Sequence, residues 1–447
     1  MADLVTWAER FIATPSESRL GNGAIVDVAA ELLRELGLAV ELETVDVAGT
    51  RHHAVLCDTP VVGADAGVLL VTHLDTVPPG DPSAWTATGG DPLRPTRQGD
   101  RLYGLGSADA KVDFICKAFA LAAQRDSLTR GVRLVGTFGE EVGMLGARWL
   151  VESGLTSGFA RALVGEPSEL AIVHAHKGYA VYEARVQLDP LPESAPMRAA
   201  SHVARGAAAH SSAPALGKNA ILDALEQLER SGALGVAALA GGSAVNVVPE
   251  RCEISLVHGL ASHSVTADVD GPVFAAKPLL AFLSAWRELD VSLRRRSDSR
   301  FSPAQSVASL GRVALSDGAA VFTFDVRPIP GDEADDLIAP LGRAAQIRCV
   351  RQNPALATPS DSPLVRELEA AQRQAGLPAR VETKATCTEA GILGAAGLEA
   401  LVLGPGTSVG NVHRPNEHTR ISQLHQAVAL YGAALARLAS GGGVPCS

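Results

Sequence analysis

Val68-Leu69-Leu70-Val71-Thr72-His73-Leu74-Asp75-Thr76-Val77-Pro78 is an apolar run that reads as a buried strand. It delivers a His and an Asp two residues apart before a proline stops it. Residues i and i+2 of a strand point to the same side. His73 and Asp75 therefore face one way at the strand's carboxyl end, where open α/β sheets place their sites. A His that ligates a metal usually has a carboxylate nearby that fixes its tautomer. The stretch predicts an α/β sheet and directs attention to the ends of its other strands.

On the amino-terminal side, residues 4–12 and 24–36 carry helical apolar stripes, and 39–45 and 53–57 alternate as strands do. On the other side, residues 78–100 are polar and rich in Pro and Gly, the composition of a lid or site wall. Asp109 follows Gly104 and Gly106 and reads alone as the N-cap of a helix over 112–124. A strand over 132–138 runs into Glu140-Glu141, which reads alone as the acidic entry to a helix over 147–153. A third strand ends at Glu166. From 178 the pattern changes. Alternating stretches at 179–188, 252–257, 319–326 and 346–350, with helices at 219–230 and 332–341, suggest a separate antiparallel sheet with helices on one face. From about 353 the first pattern resumes: a helix over 363–374, a strand over 398–403, then Gly404-Pro405-Gly406 and His413, and an apolar helix over 421–438 before a Gly-rich tail.

At 447 residues the chain is long enough for two domains. A net charge of −10 argues against a nucleic-acid partner, since no basic excess is present to displace counterions. The cluster Arg294, Arg295, Arg296 and Arg300 reads as a solvated loop. No apolar run of about 18 residues exists, so no membrane span is expected. The amino-terminal stretch lacks a signal-peptide pattern, and the six scattered cysteines contain no C-x-x-C pair. Both features predict a cytoplasmic protein.

The strand ends collect His73, Asp109, Glu140, Glu141, Glu166 and His413. Two His and several carboxylates form a borderline-hard donor set suited to zinc, cobalt or manganese. One carboxylate can bridge two ions about 3.5–4 Å apart, and a spare acid can serve as a general base.

These pieces resemble the co-catalytic zinc family that includes acetylornithine deacetylase, succinyl-diaminopimelate desuccinylase, aminoacylases and glutamate-releasing carboxypeptidases. The matching segments are His73-Leu74-Asp75-Thr76-Val77-Pro78, Tyr103 to Lys111, Gly139-Glu140-Glu141, Gly165-Glu166-Pro167-Ser168, Ala209-His210-Ser211-Ser212 and His413-Arg414-Pro415-Asn416-Glu417. The resemblance implies an α/β fold: a three-layer αβα catalytic domain of zinc-exopeptidase type, residues 1–178 and 353–447. An α+β lid and dimerisation domain, residues 179–352, interrupts it. It implies two divalent ions, Zn2+ or Co2+, one held by His73 and Glu166, the other by Glu141 and His413, with Asp109 bridging. Glu140 would be the base that deprotonates the bridging water, and Asp75 would orient His73. A homodimer through the lid would bring His210 to the neighbouring subunit's site, where it would hold the oxyanion.

The family's substrate-carboxylate residues match Asn246 in Asn246-Val247-Val248-Pro249 and Arg327 in Asp325-Val326-Arg327-Pro328. Here about 80 residues separate them, which marks residues 258–302 as an insertion in the lid or a rearrangement of it. Thr388 and Gly404 are expected to line the site through their backbone. Lys111 reads equally as a structural ion pair or a catalytic group. The remaining histidines read as surface or core residues, His176 near the hinge being the most ambiguous.

The expected activity is hydrolysis of the amide bond of a small N-acyl amino acid, acetylornithine-type deacetylation being favoured. The alternatives are a desuccinylase, a metallocarboxypeptidase or dipeptidase, and a non-catalytic relative that binds amino-acid derivatives.

Overall fold

The computed structural model describes residues 3–47, 49–59, 67–192, 197–259 and 271–440. The Gly-rich tail at 441–447, and residues 260–270 of the expected insertion, lie outside them. The chain forms two compact units, Met1–His176 with Leu356–Ser447, and Lys177–Ala355. Lys177 and Gly178 fall in the second unit, where the Lys177 ammonium donates to the Gln305 carbonyl (2.6 Å) and the Gly178 amide to the Pro328 carbonyl (2.9 Å).

The first unit is a sheet in the order Glu41–Val47, Thr50–Asp58, Val132–Thr137, Gly67–His73, Phe159–Gly165, Glu399–Val402, Ile172–His176, Leu356–Ala357, with Val381–Lys384 also pairing on Ile172–His176. Its four central strands, Val132–Thr137 through Glu399–Val402, are mutually parallel. They are mostly apolar because they are covered on both faces, Gly67–His73 most completely, while Arg133, Arg161 and Glu399 stand near the ends of the others. Within Gly67–His73 the alternation divides the layers. Val68 and Leu70 pack with the helices Leu4–Ala13, Gly23–Glu35, Lys111–Gln124, Pro363–Gln374 and Ile421–Leu438. Leu69 and Val71 pack with Leu145–Glu152 and Glu389–Ala395 on the other side. The result is the three-layer αβα arrangement. Register sets His73 opposite Thr137, and Thr72 opposite both Gly136 and Gly165. The segments carrying His73, Glu140, Glu141 and Glu166 thereby leave the sheet at one edge.

The second unit is an antiparallel sheet in the order Met197–Arg205, Arg251–Gly259, Gly235–Gly241, Val307–Ser316, Ala319–Arg327, Tyr179–Gln187, Gln346–Asn353. Ala180, Tyr182, Ala184 and Val186 share a core with the helices Ala220–Ser231, Lys277–Leu293 and Ala334–Ile338. Within the expected insertion, the described residues 271–302 include a core helix. Lys277–Leu293 buries Leu279, Phe282, Leu283, Trp286, Leu289 and Leu293, and Phe282 stacks on Phe322 at 4.2 Å between ring centroids. Their helical spacing marks a core-facing helix, and Lys277–Leu293 packs into this unit's hydrophobic layer. Arg294, Arg296 and Arg300 each pair with a carboxylate: Asp290, Asp332 and Asp298. Among the described residues no helix is long and apolar enough to cross a membrane.

Candidate metal centre

The strand ends converge. His73 Nε2 lies 3.2 Å from Asp109 Oδ1 and 3.8 Å from Glu166 Oε1. His413 Nε2 lies 3.1 Å from Asp109 Oδ2 and 3.0 Å from Glu141 Oε1. Each triad, His73/Asp109/Glu166 and Asp109/Glu141/His413, has its donor atoms within 4.8 Å of one another. Asp109 serves both, one carboxylate oxygen to each. Donors around a tetrahedral zinc sit about 3.3 Å apart, given bond lengths of about 2.0–2.1 Å.

Asp109 is not an N-cap. The helix begins at Lys111, its cap is Ala110, and no side chain caps it. Nor do Glu140 and Glu141 enter the first turn of a helix. The next helix, Leu145–Glu152, has no acid in its first turn, and the two glutamates occupy the turn before it. Both local readings fail, and for Asp109 and Glu141 a long-range histidine claims the side chain.

Electrostatics fit a cation centre. Burial pushes the Glu140 carboxyl well above the usual carboxylate range, and the Glu141 and Glu166 charges push the same way. Burial also raises Glu141 and Glu166. Burial opposes charge on both imidazoles and is the largest single influence, yet the facing carboxylates, Asp109 first, together outweigh it. With help from Asp75, His73 rises well above its ordinary value; with help from Glu141, His413 rises to about 11. Burial likewise opposes ionisation of Asp109, but the two imidazoles hold its carboxyl below the normal range. Three buried carboxylates and Glu140 thus crowd negative charge around two imidazoles. A divalent ion in each triad would offset that charge, so the residues fit two ions sharing Asp109.

Around the triads lies a supporting layer that only part of the sequence reading anticipated. His73 Nδ1 is closer to the Asp75 main-chain oxygen (3.1 Å) than to its carboxylate (3.6 Å). That carboxylate accepts from Ser18 Oγ (2.5 Å) and from the amides of Glu140 (3.2 Å) and Glu141 (3.3 Å). Asp75 therefore couples the opening strand to the Glu140-Glu141 turn. Glu417 Oε1 accepts from the amides of Ala108 (2.8 Å) and Asp109 (3.0 Å), fixing the backbone of the residue that the two triads share. The Lys384 ammonium sits 3.2 Å from Glu166 Oε2, leaving Oε1 for the centre. The Lys111 ammonium, fully buried, donates to the Thr14 carbonyl (3.1 Å).

Thr388 and Gly404 each have a structural contact as well. The Thr388 hydroxyl accepts from the Ala390 amide (3.2 Å) and lies 3.1 Å from His176 Nε2, so it caps a helix and anchors a buried histidine. Gly404 leaves no room for a side chain, since a Cβ would lie 2.5 Å from the Glu166 carbonyl oxygen. Gly404 thus backs Glu166, while Thr388 holds His176.

In the second unit, His210, Asn246 and Arg327 gather around Ser211. Val247 forms a bridge pair with His210, and the Ser211 amide donates to the Asn246 carbonyl (3.0 Å). Arg327 donates to Ser211 Oγ (3.2 Å) and pairs with Asp325 (3.3 Å), its guanidinium over the Tyr179 ring at 4.5 Å. Strand pairing closes the 80-residue gap in sequence: the segment carrying Arg327 pairs with Val307–Ser316, which pairs with Gly235–Gly241, just before Asn246.

The model of peptidase family M20/M25/M40 matches residues 69–437. The chain belongs to this family. An acetylornithine deacetylase of Klebsiella pneumoniae is 28% identical over 435 residues, covering 91% of this chain and 90% of the relative. One from Myxococcus xanthus is 28% identical over 451 residues, 96% of each. Among solved structures, an aminoacylhistidine dipeptidase from Vibrio alginolyticus superposes with a TM-score of 0.67 at 17% identity over 96% of each chain. The M20 metallo-carboxypeptidase Sso-CP2 from Sulfolobus solfataricus gives 0.64 at 17% identity, over 97% of this chain and 99% of that one. These two share the fold. This M20 chain is a hydrolase of amide bonds with groups placed to bind metal.

Proposed function

We propose that this M20 enzyme removes the acyl group from a small N-acyl amino acid, with acetylornithine-type deacetylation as its reaction. The observation that carries the reading is the pair of triads sharing Asp109, with Glu140 beside them. The names of the two full-length relatives favour acetyl over other acyl groups.

His73, Glu166 and Asp109 would hold one ion, and Asp109, Glu141 and His413 the other, zinc first and cobalt as its substitute. Bound there, the ions would polarise the scissile carbonyl and acidify a water. Glu140 takes the attacking water's proton and returns it to the leaving amine, a role open to a carboxylate in contact with both. Asp75 fixes the amide of Glu140 and so aims it. Arg327 and Asn246 bind the substrate's α-carboxylate, for which a guanidinium is the apt partner. Two copies associate through the second unit, and His210 stabilises the oxyanion in the neighbouring copy's site. A single-chain mass in solution at assay concentration would remove that last role.

Substrate choice is tested by a panel of Nα-acetyl, Nα-succinyl and dipeptide compounds on zinc-loaded protein. Nα-acetylornithine should give a kcat/KM at least about tenfold above the others, corresponding to roughly 1.4 kcal/mol of transition-state discrimination. A dipeptide or a succinyl compound in first place would replace the acetyl assignment and leave the hydrolase.

A further inference from the structure

Behind the metal centre lies a buried ionic cluster that the chemistry above does not use. Lys117 and Asp113 stand one turn apart on the helix Lys111–Gln124, and with Thr72 and Tyr431 all are at most 1% exposed. The Lys117 ammonium has four oxygens around it: the Val71 carbonyl (2.7 Å), Asp113 Oδ2 (2.8 Å), the Thr72 hydroxyl (2.9 Å) and the Leu163 carbonyl (3.2 Å). Thr72 Oγ1 donates to Asp113 Oδ2 (2.7 Å). The Tyr431 hydroxyl, on the closing helix, reaches Asp113 Oδ1 (2.5 Å) and the Leu403 carbonyl (2.7 Å).

A buried ion pair is an expensive way to fill space. Apolar side chains of similar volume commonly serve as well or better. What an apolar side chain cannot do is hold main-chain oxygens. This cluster holds three, on two neighbouring parallel strands and just past the end of the third, Glu399–Val402. Val71 lies two residues before His73, Leu163 three before Glu166, and Leu403 immediately before Gly404, which packs on the Glu166 carbonyl. The intervening sequence keeps space for it, since a Cβ on Gly165 would lie 1.9 Å from Asp113 Oδ2. Every tether leads to the His73/Glu166 half of the centre. Among the described residues, the side chains of Lys117, Asp113 and Tyr431 make no hydrogen bond to the segments from which Glu141 and His413 leave; the strand before Glu140 meets the cluster only through the main-chain register of Val71 and Thr72 with Val135 and Gly136.

We propose that Lys117, with Asp113 and Tyr431, is a positioning device that sets the spacing of His73 and Glu166 and so tunes one metal position selectively. The proposal rests on the two-ion reading above. The device acts through the strand ends and touches neither substrate nor reacting atoms.

The test is Zn2+ titration calorimetry on the full chain in two backgrounds. Glu141→Ala leaves the His73/Asp109/Glu166 triad, and Glu166→Ala leaves the Asp109/Glu141/His413 triad. Adding Lys117→Met to the first should weaken its zinc affinity at least about tenfold, the size seen when groups supporting a ligand are removed. Adding it to the second should change affinity less than about twofold, within the scatter of a distant substitution. A generally loosened protein would lose affinity in both backgrounds. Equal effects in the two, or none in either, overturn the proposal while the two-ion reading stands. An unsubstituted chain that binds no zinc overturns both. Should Lys117→Met not fold, Tyr431→Phe removes one hydroxyl and is put through the same pair of backgrounds. Loss confined to the His73/Glu166 triad supports the device, and equal or absent loss sinks it.

Discussion

Glu140→Ala should bind both metal ions and yet turn over about a thousandfold more slowly, the contribution typical of a positioned general base and acid. The reason lies in how the two adjacent glutamates divide their tasks. Glu141 Oε1 faces His413 at 3.0 Å and belongs to a triad, whereas Glu140 belongs to neither triad. Both amides hang on the Asp75 carboxylate, so shortening one side chain leaves the turn in place. KM should change little, because the residues assigned to the substrate's carboxylate lie elsewhere. A variant that keeps wild-type kcat with two ions bound would remove Glu140 from the chemistry. One that loses its metal would make it a ligand instead.

Asp109→Ala should cost more than any other single ligand. Its two oxygens are divided between His73 at 3.2 Å and His413 at 3.1 Å, so one substitution opens both positions. Removing a mere supporting group around a ligand lowers affinity about 10–100-fold. Loss of the shared ligand should exceed about a hundredfold at each position and abolish turnover. Stability gives a second readout. An ion that binds only the folded state at a hundred times its Kd adds about 2.7 kcal/mol. Added zinc should therefore raise the melting temperature of the wild type and leave that of Asp109→Ala almost unmoved. A variant that retains one tightly held ion would mean that Asp109 serves a single position.

Much of this centre is legible in the sequence, because a parallel sheet exposes its strand ends at one edge. Apolar runs mark where the strands stop, and the acids and histidines that follow must come near one another. His73, Glu141, Glu166 and His413 are visible in that way. Asp109 is visible only as one of a set, since alone it passes for a helix cap. The supporting layer is far less legible. Lys384 meets Glu166 across 218 residues, and Glu417 meets Asp109 across 308. No spacing rule links such pairs. Lys117 and Asp113 look in sequence like the wet face of an amphipathic helix. They are dry because the helix Lys111–Gln124 is covered on nearly every side, by the sheet, by Leu4–Ala13 and by Ile421–Leu438. The second unit carries the opposite lesson. The apolar spacing of Leu279, Phe282, Leu283, Trp286 and Leu289 was readable as a core helix, yet the unusual distance between Asn246 and Arg327 suggested an insertion. Pairing through the hairpin Val307–Ser316/Ala319–Arg327 absorbs that distance.

The proposed hydrolytic centre would hold two ions that share one aspartate. The most direct test is to count metal on purified chain, strip it with a chelator, and restore zinc stepwise while following cleavage of Nα-acetylornithine and the other N-acyl amino acids of the panel. Two ions per chain at saturation, with cleavage lost on stripping and regained as the sites refill, is the expected result. A chain that saturates at one ion, or cleaves these amides equally well with none, would contradict it.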